Sequence, residues 1–64
     1  MKVEGVTYEV DWHDFKKGTS LFFPCLDPER ARQQVADTTE PFRIKTVTKI
    51  CIEDGIKGLR VWRV

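Results

Sequence analysis

One histidine and two cysteines are all that this 64-residue chain offers in the way of soft metal ligands. Cys25 and Cys51 stand far apart with no CxxC pair, and His13 is alone, so no metal site is expected. Gly5, Gly18, Gly55 and Gly58 are isolated, and no phosphate-cradling loop can be built from them. No apolar run is long enough to span a membrane. Met1-Lys2-Val3-Glu4-Gly5 lacks the apolar stretch of a signal peptide, so the chain reads as cytosolic. In that reducing setting the two cysteines read as free, buried thiols, with a disulfide as the alternative.

Catalytic constellations are equally sparse. His13 sits between Trp12 and Asp14 in a turn, where neighbouring side chains seldom converge on one substrate. Cys25 precedes a helix start, a position that can lower a thiol pKa, but no base accompanies it. The reading is therefore a protein without catalysis, cofactor or metal.

What remains is a small domain built on aromatics. A chain of this length buries only about 60% of its unfolded surface, so the core is thin and either a monomer or a homodimer fits. Hydrophobic content of 41% beside 33% charged residues still places it among folded domains rather than disordered chains. Four Phe, two Trp and one Tyr supply most of the burial. Residues 1–64 read as one α+β domain.

Residues 5–10 alternate, with Val6, Tyr8 and Val10 on one face, which predicts a half-buried strand. Asp11 caps a predicted turn of helix that puts Trp12 and Phe15 on one side, and Gly18 ends it. Residues 19–23 predict a second strand, which Pro24 stops or confines to an edge. Asp27-Pro28-Glu29 is an N-cap, a first-turn proline and an acidic residue at the positive helix end, predicting a helix from Pro28 to about Thr38. Its inward stripe is Ala31 and Val35, joined by Ala36 or Thr38. Residues 42–53 alternate again, residues 54–58 predict a turn, and residues 59–64 return as the last strand. The expected order is β-β-α-β-β, an antiparallel or mixed sheet with the helix on one face.

Charge is divided along the chain. Residues 1–40 hold five Lys/Arg against eight Asp/Glu, a net of −3, while residues 41–64 hold six against two, a net of +4. The positive part coincides with the terminal hairpin. Pairing Ile52 with Leu59 and Ile50 with Val61 keeps apolar groups inside and sets Lys49 opposite Trp62; a one-residue slip would bury Trp62 instead. In the first register Arg43, Lys45, Lys49 and Arg60 project from one face around Trp62, with Lys57 at the turn; Arg63, next to Trp62 in the chain, is a further binding candidate. Cations replace phosphate counterions and an indole offers stacking, so this hairpin is a candidate nucleic-acid contact. The overall charge of +1 is far below that of dedicated nucleic-acid domains, which leaves a solvated or protein-facing surface open. A protein interface would instead use Trp12, Trp62 and Arg63 as anchors. Arg30, Gln33 and Gln34 on the helix are residue types that read base edges, though no preceding helix makes a helix-turn-helix.

Asp11-Trp12 followed by Gly18-Thr19-Ser20-Leu21-Phe22-Phe23-Pro24, with the ending Asp54-Gly55-Ile56-Lys57-Gly58-Leu59-Arg60-Val61-Trp62-Arg63-Val64, resembles short proteins encoded by tailed bacteriophages. The resemblance implies a phage-encoded protein acting in the bacterial host cytoplasm, and it transfers no functional residue. Phe42-Arg43-Ile44-Lys45-Thr46-Val47, after a proline-closed strand and a helix, is more loosely similar to the small RNA-polymerase inhibitor of T7-like phages. That similarity implies a second kind of partner, a host protein whose activity the chain would modulate.

Overall fold

The computed structural model describes residues 1–64 and has the expected α+β class, with antiparallel strands on either side of a single helix. Its elements are β1 (Lys2–Val3), β2 (Val6–Thr7), β3 (Ser20–Pro24), α1 (Pro28–Thr39), a 3-10 turn (Glu40–Phe42), β4 (Thr46–Glu53) and β5 (Ile56–Arg63). The strands form two sheets rather than one. β1 and β2 make a small ladder of their own, and β3, β5 and β4 form the main sheet in that spatial order.

The N-terminal region is the first departure from the sequence reading. Instead of one strand over residues 5–10, the chain turns at Glu4-Gly5, Val6 and Thr7 pair with Val3 and Lys2, and Tyr8 exchanges backbone bonds with Met1 at 2.7 and 2.9 Å. Val6 is exposed while Val3 is fully buried. Both Glu4 and Gly5 have positive φ, at 49° and 82°. The Glu4 conformation is held by its carboxylate, which accepts N–H bonds from Leu26 at 2.7 Å and Asp27 at 2.6 Å. One side chain thereby fastens the first turn to the entry of the helix. Residues 11–15 form a non-helical turn, but Trp12 and Phe15 are buried together as expected, edge to face with centroids 5.6 Å apart.

Helix α1 begins where its capping signal places it. The Asp27 side chain accepts from Arg30 N at 3.3 Å, and Pro28 occupies the first turn. Its buried stripe is Pro28, Ala31, Val35 and Thr39, not Ala36 or Thr38. The buried Thr39 hydroxyl is satisfied by donating to the Val35 carbonyl at 2.9 Å. No glycine ends the helix. Arg43 takes the left-handed position at φ 56° after the 3-10 turn, which is why β4 starts at Thr46 rather than at Phe42.

The hairpin register also differs. Asp54 (φ 52°) and Gly55 (φ 78°) alone make the turn, the two positive φ values of a type I′ connection. Gly58 lies within β5. Ile50 therefore faces Leu59, Thr48 faces Val61, and Lys49 faces Arg60 instead of Trp62, which pairs with Val47. This shift of two residues preserves every side chain's face, because strand side chains alternate with period two. Leu59, Val61 and Phe23 point to the helix and join Ala31, Val35, Val3, Trp12, Phe15 and Cys25 in the core.

Candidate nucleic-acid interface

The face of the main sheet turned away from α1 is built in cross-strand rows. Phe22, Arg60 and Lys49 form one row, Ser20, Trp62 and Val47 a second, and Pro24, Gly58 and Cys51 a third. Opposed residues in an antiparallel ladder share a face, so these side chains stand together opposite the core. Trp62 and Phe22 are half-buried and Lys49 is exposed. The indole thus shares the outward face with the cations.

Arg60 lies across the middle of this face. Its guanidinium carbon is 5.3 Å from the Phe22 ring centroid, and Nη1 donates to Ser20 Oγ at 3.1 Å. Nε donates to Glu53 Oε2 at 2.8 Å, and Nη2 reaches Glu53 Oε1 in a second bond. This two-point pair holds the Glu53 carboxyl below its ordinary pKa and raises that of Arg60. Arg60 is thus locally neutralised and pre-oriented. Lys49 takes part in neither ion pair of the molecule. Lys45 continues the same alternation: its carbonyl accepts Val64 N at 3.2 Å, which extends the ladder one step past β4. The unpaired positive charge of the face is therefore at Lys45 and Lys49.

Three other cations singled out in the sequence lie elsewhere. Arg43 ends the 3-10 turn, off the sheet. Lys57 pairs with Ile52 and has the parity of the core-facing residues. Arg63 also has that parity, and its Nη1 donates to the Phe15 carbonyl at 2.6 Å while Nε is buried without a partner. That contact ties the 11–18 loop to the sheet. Trp12, the other aromatic singled out for a protein interface, is in the core.

Phe22 is the residue of this face that sequence reasoning passed over. The available signal was its place between Leu21 and Phe23 in an alternating strand, which turns it opposite to both. Gly58 makes room for it, since an added Cβ would stand 2.6 Å from Phe22 Cζ.

The two thiols are free and occupy different environments. Cys25 is buried, and burial followed by the Glu4 carboxylate pushes its pKa up, the opposite of activation by a helix start. Cys51 is only half-buried, against expectation, and lies on the outer face with Sγ 3.4 Å from Glu53 Oε2. Desolvation and that hydrogen bond raise its pKa as well. His13 is exposed and stands edge-on to Phe42 with centroids 5.0 Å apart. No cluster of three or more His, Cys, Asp or Glu side chains is placed to hold a metal ion. No helix is long and apolar enough to cross a membrane. No protein-family model, curated protein or solved structure matches the chain.

Proposed function

We propose that this is a non-catalytic accessory protein of the phage type that binds single-stranded nucleic acid on its open sheet face, in the host cytoplasm. The observation that carries the reading is the row arrangement of Phe22, Arg60 and Lys49 beside Trp62. Phe22 and Trp62 are diagonal neighbours on adjacent strands, a separation of roughly 7–8 Å that lets two rings serve successive bases. Lys45 and Lys49 supply the phosphate contacts, and Arg60 stiffens the platform. Two ring faces at this spacing favour a single strand, whose bases are free to stack, over a duplex, whose bases are already stacked.

Titration of a fluorescent oligothymidylate by anisotropy tests this. Affinity falls with salt, and each lysine lost to alanine at 45 or 49 lowers the logarithmic slope by about 0.7. Trp62→Ala weakens binding about tenfold or more, the loss of one stacked base. Absence of binding to DNA and RNA oligonucleotides at low ionic strength ends this reading.

A second reading, a modulator of a host factor such as RNA polymerase, draws on a different place. Leu26 is 87% exposed and Ile56 51% exposed, and both line one depression with Pro24, Cys25 and Lys57 at the hairpin tip. Exposed apolar groups gathered at one point suit a protein partner. Leu26→Asp distinguishes the two, since it leaves oligonucleotide affinity unchanged and abolishes capture of a host protein.

A further inference from the structure

The two edges of the main sheet are treated differently. β3 carries Pro24, which has no N–H to offer a neighbour. β4 runs for eight residues, Thr46 to Glu53, with no proline or glycine. The bond from Val64 N to Lys45 O shows which of its residues pair with β5: the odd-numbered ones. Thr46, Thr48, Ile50 and Ile52 therefore direct their N–H and C=O groups to the open edge. Ile52 is 70% exposed beside them, and Ile50 is exposed too. The helix side of β4 is held at Thr48, where Arg32 Nε donates to Thr48 Oγ1 at 3.1 Å, which leaves the two isoleucines uncovered.

The edge is complementary to itself. We propose that β4 pairs antiparallel with β4 of a second copy of this chain, about a two-fold axis at Cys51. In that register Lys49 of each copy faces Glu53 of the other, and Ile50 faces Ile52. The Ile50–Ile52 pairs use the outward-directed backbone groups and are the hydrogen-bonded ones. Cys51–Cys51 and Lys49–Glu53 are the closer, non-hydrogen-bonded pairs, in which side chains interact most directly. Centring the axis on Lys49 would oppose two lysines, and centring it on Ile50 would set Lys49 against Cys51 and Val47 against Glu53. Only the Cys51 axis satisfies charge, apolar contact and backbone parity together. The axis is perpendicular to the sheet, so two three-stranded sheets join into six strands with both outer faces on one side. The inference stands on β4 alone; it shares Lys49 with the proposed nucleic-acid face and leaves Lys45 of that face unpaired.

Sedimentation equilibrium of the full chain across a concentration series gives the mass. The expected result is a rise from the 7.5 kDa monomer toward twice that value. Lys49→Glu and Glu53→Lys each weaken the dimer about tenfold or more, by replacing two attractive pairs with repulsive ones. The double exchange, Lys49→Glu with Glu53→Lys, restores it. The exchange also keeps Arg60 partnered, because residue 49 lies directly opposite it. Circular dichroism melts confirm that each variant is folded. As a second measurement, copper(II)–phenanthroline takes two electrons from a pair of Cys51 thiols, two protons leave, and one S–S bond forms. Strands paired at this axis hold the Cα atoms about 4.5 Å apart, within disulfide range. A covalent dimer in the wild type, absent in Cys51→Ala, is expected. A monomer at the highest soluble concentration, or dimers indifferent to the charge reversals, overturns the proposal.

Discussion

The ring of Phe22 occupies the space in which residue 58 would carry a side chain. A Cβ on Gly58 would meet Phe22 Cζ at 2.6 Å and the Phe23 carbonyl oxygen at 2.5 Å. The ring could swing away, but the backbone oxygen cannot move without parting β3 from β5. Gly58→Ala is expected to cost about 1–3 kcal/mol, as overpacking does, despite alanine's lower backbone entropy cost. Urea unfolding followed by tryptophan fluorescence measures it. A variant as stable as the wild type would show that β3 yields easily.

Glu53 makes the stability of the hairpin depend on pH. Its folded pKa lies below the unfolded value because Arg60 binds its charged form. The contribution is fully present above the unfolded carboxylate pKa, near 4.5, and is lost as pH falls through the lower folded value. Urea midpoints of the wild type should therefore decline over that acidic interval more steeply than those of Glu53→Gln. Parallel profiles would remove the pair from the stability of the fold.

The two thiols should react in order. Cys51 is half-exposed and Cys25 buried, and both are shifted toward the protonated form. A disulfide reagent at neutral pH should modify Cys51 slowly in the native protein and Cys25 only at the rate of unfolding. Mass spectrometry after limited reaction identifies the site. Early modification at Cys25 would indicate local opening between β3 and the helix start.

Arg63 holds the 11–18 loop through the Phe15 carbonyl. Arg63→Ala removes that bond and the packing of the aliphatic stem, and is expected to destabilise by about 1–3 kcal/mol. Amide hydrogen exchange should accelerate at residues 12–18 ahead of the hairpin. If exchange is unchanged there and oligonucleotide binding falls instead, Arg63 is a contact residue and not a tether.

Much of this architecture is legible in the chain because it is local. Asp27-Pro28-Glu29 marks the helix start within three residues, and the spacing of Trp12 and Phe15 puts both on one side even though their turn is not helical. Alternation in β4 and β5 assigns faces for every register that differs by an even number of residues. The register departs from the pattern because Gly58 resembles a turn residue, although Asp54-Gly55 completes a type I′ turn unaided. Its real role is to admit Phe22, a residue more than thirty positions away, and no local pattern carries that. The same holds for Arg63 with Phe15 and for Glu4 with Leu26. β1 is too short, at two residues, for any periodicity. In the candidate interface Trp62, Lys45 and Lys49 were readable from alternation, whereas the neutralisation of Arg60 by Glu53 required the true register.

β5 is central in space yet follows β3, α1 and β4 in the chain. β3, with Leu21, Phe22 and Phe23, leaves the ribosome long before the strand that satisfies its backbone. Helix α1 is likewise translated ahead of Leu59 and Val61, on which it rests. β3 therefore has no strand to pair with until the β4–β5 hairpin is present. The two-residue turn makes that hairpin the most local pairing of the sheet, so its closure is expected to precede the docking of β3.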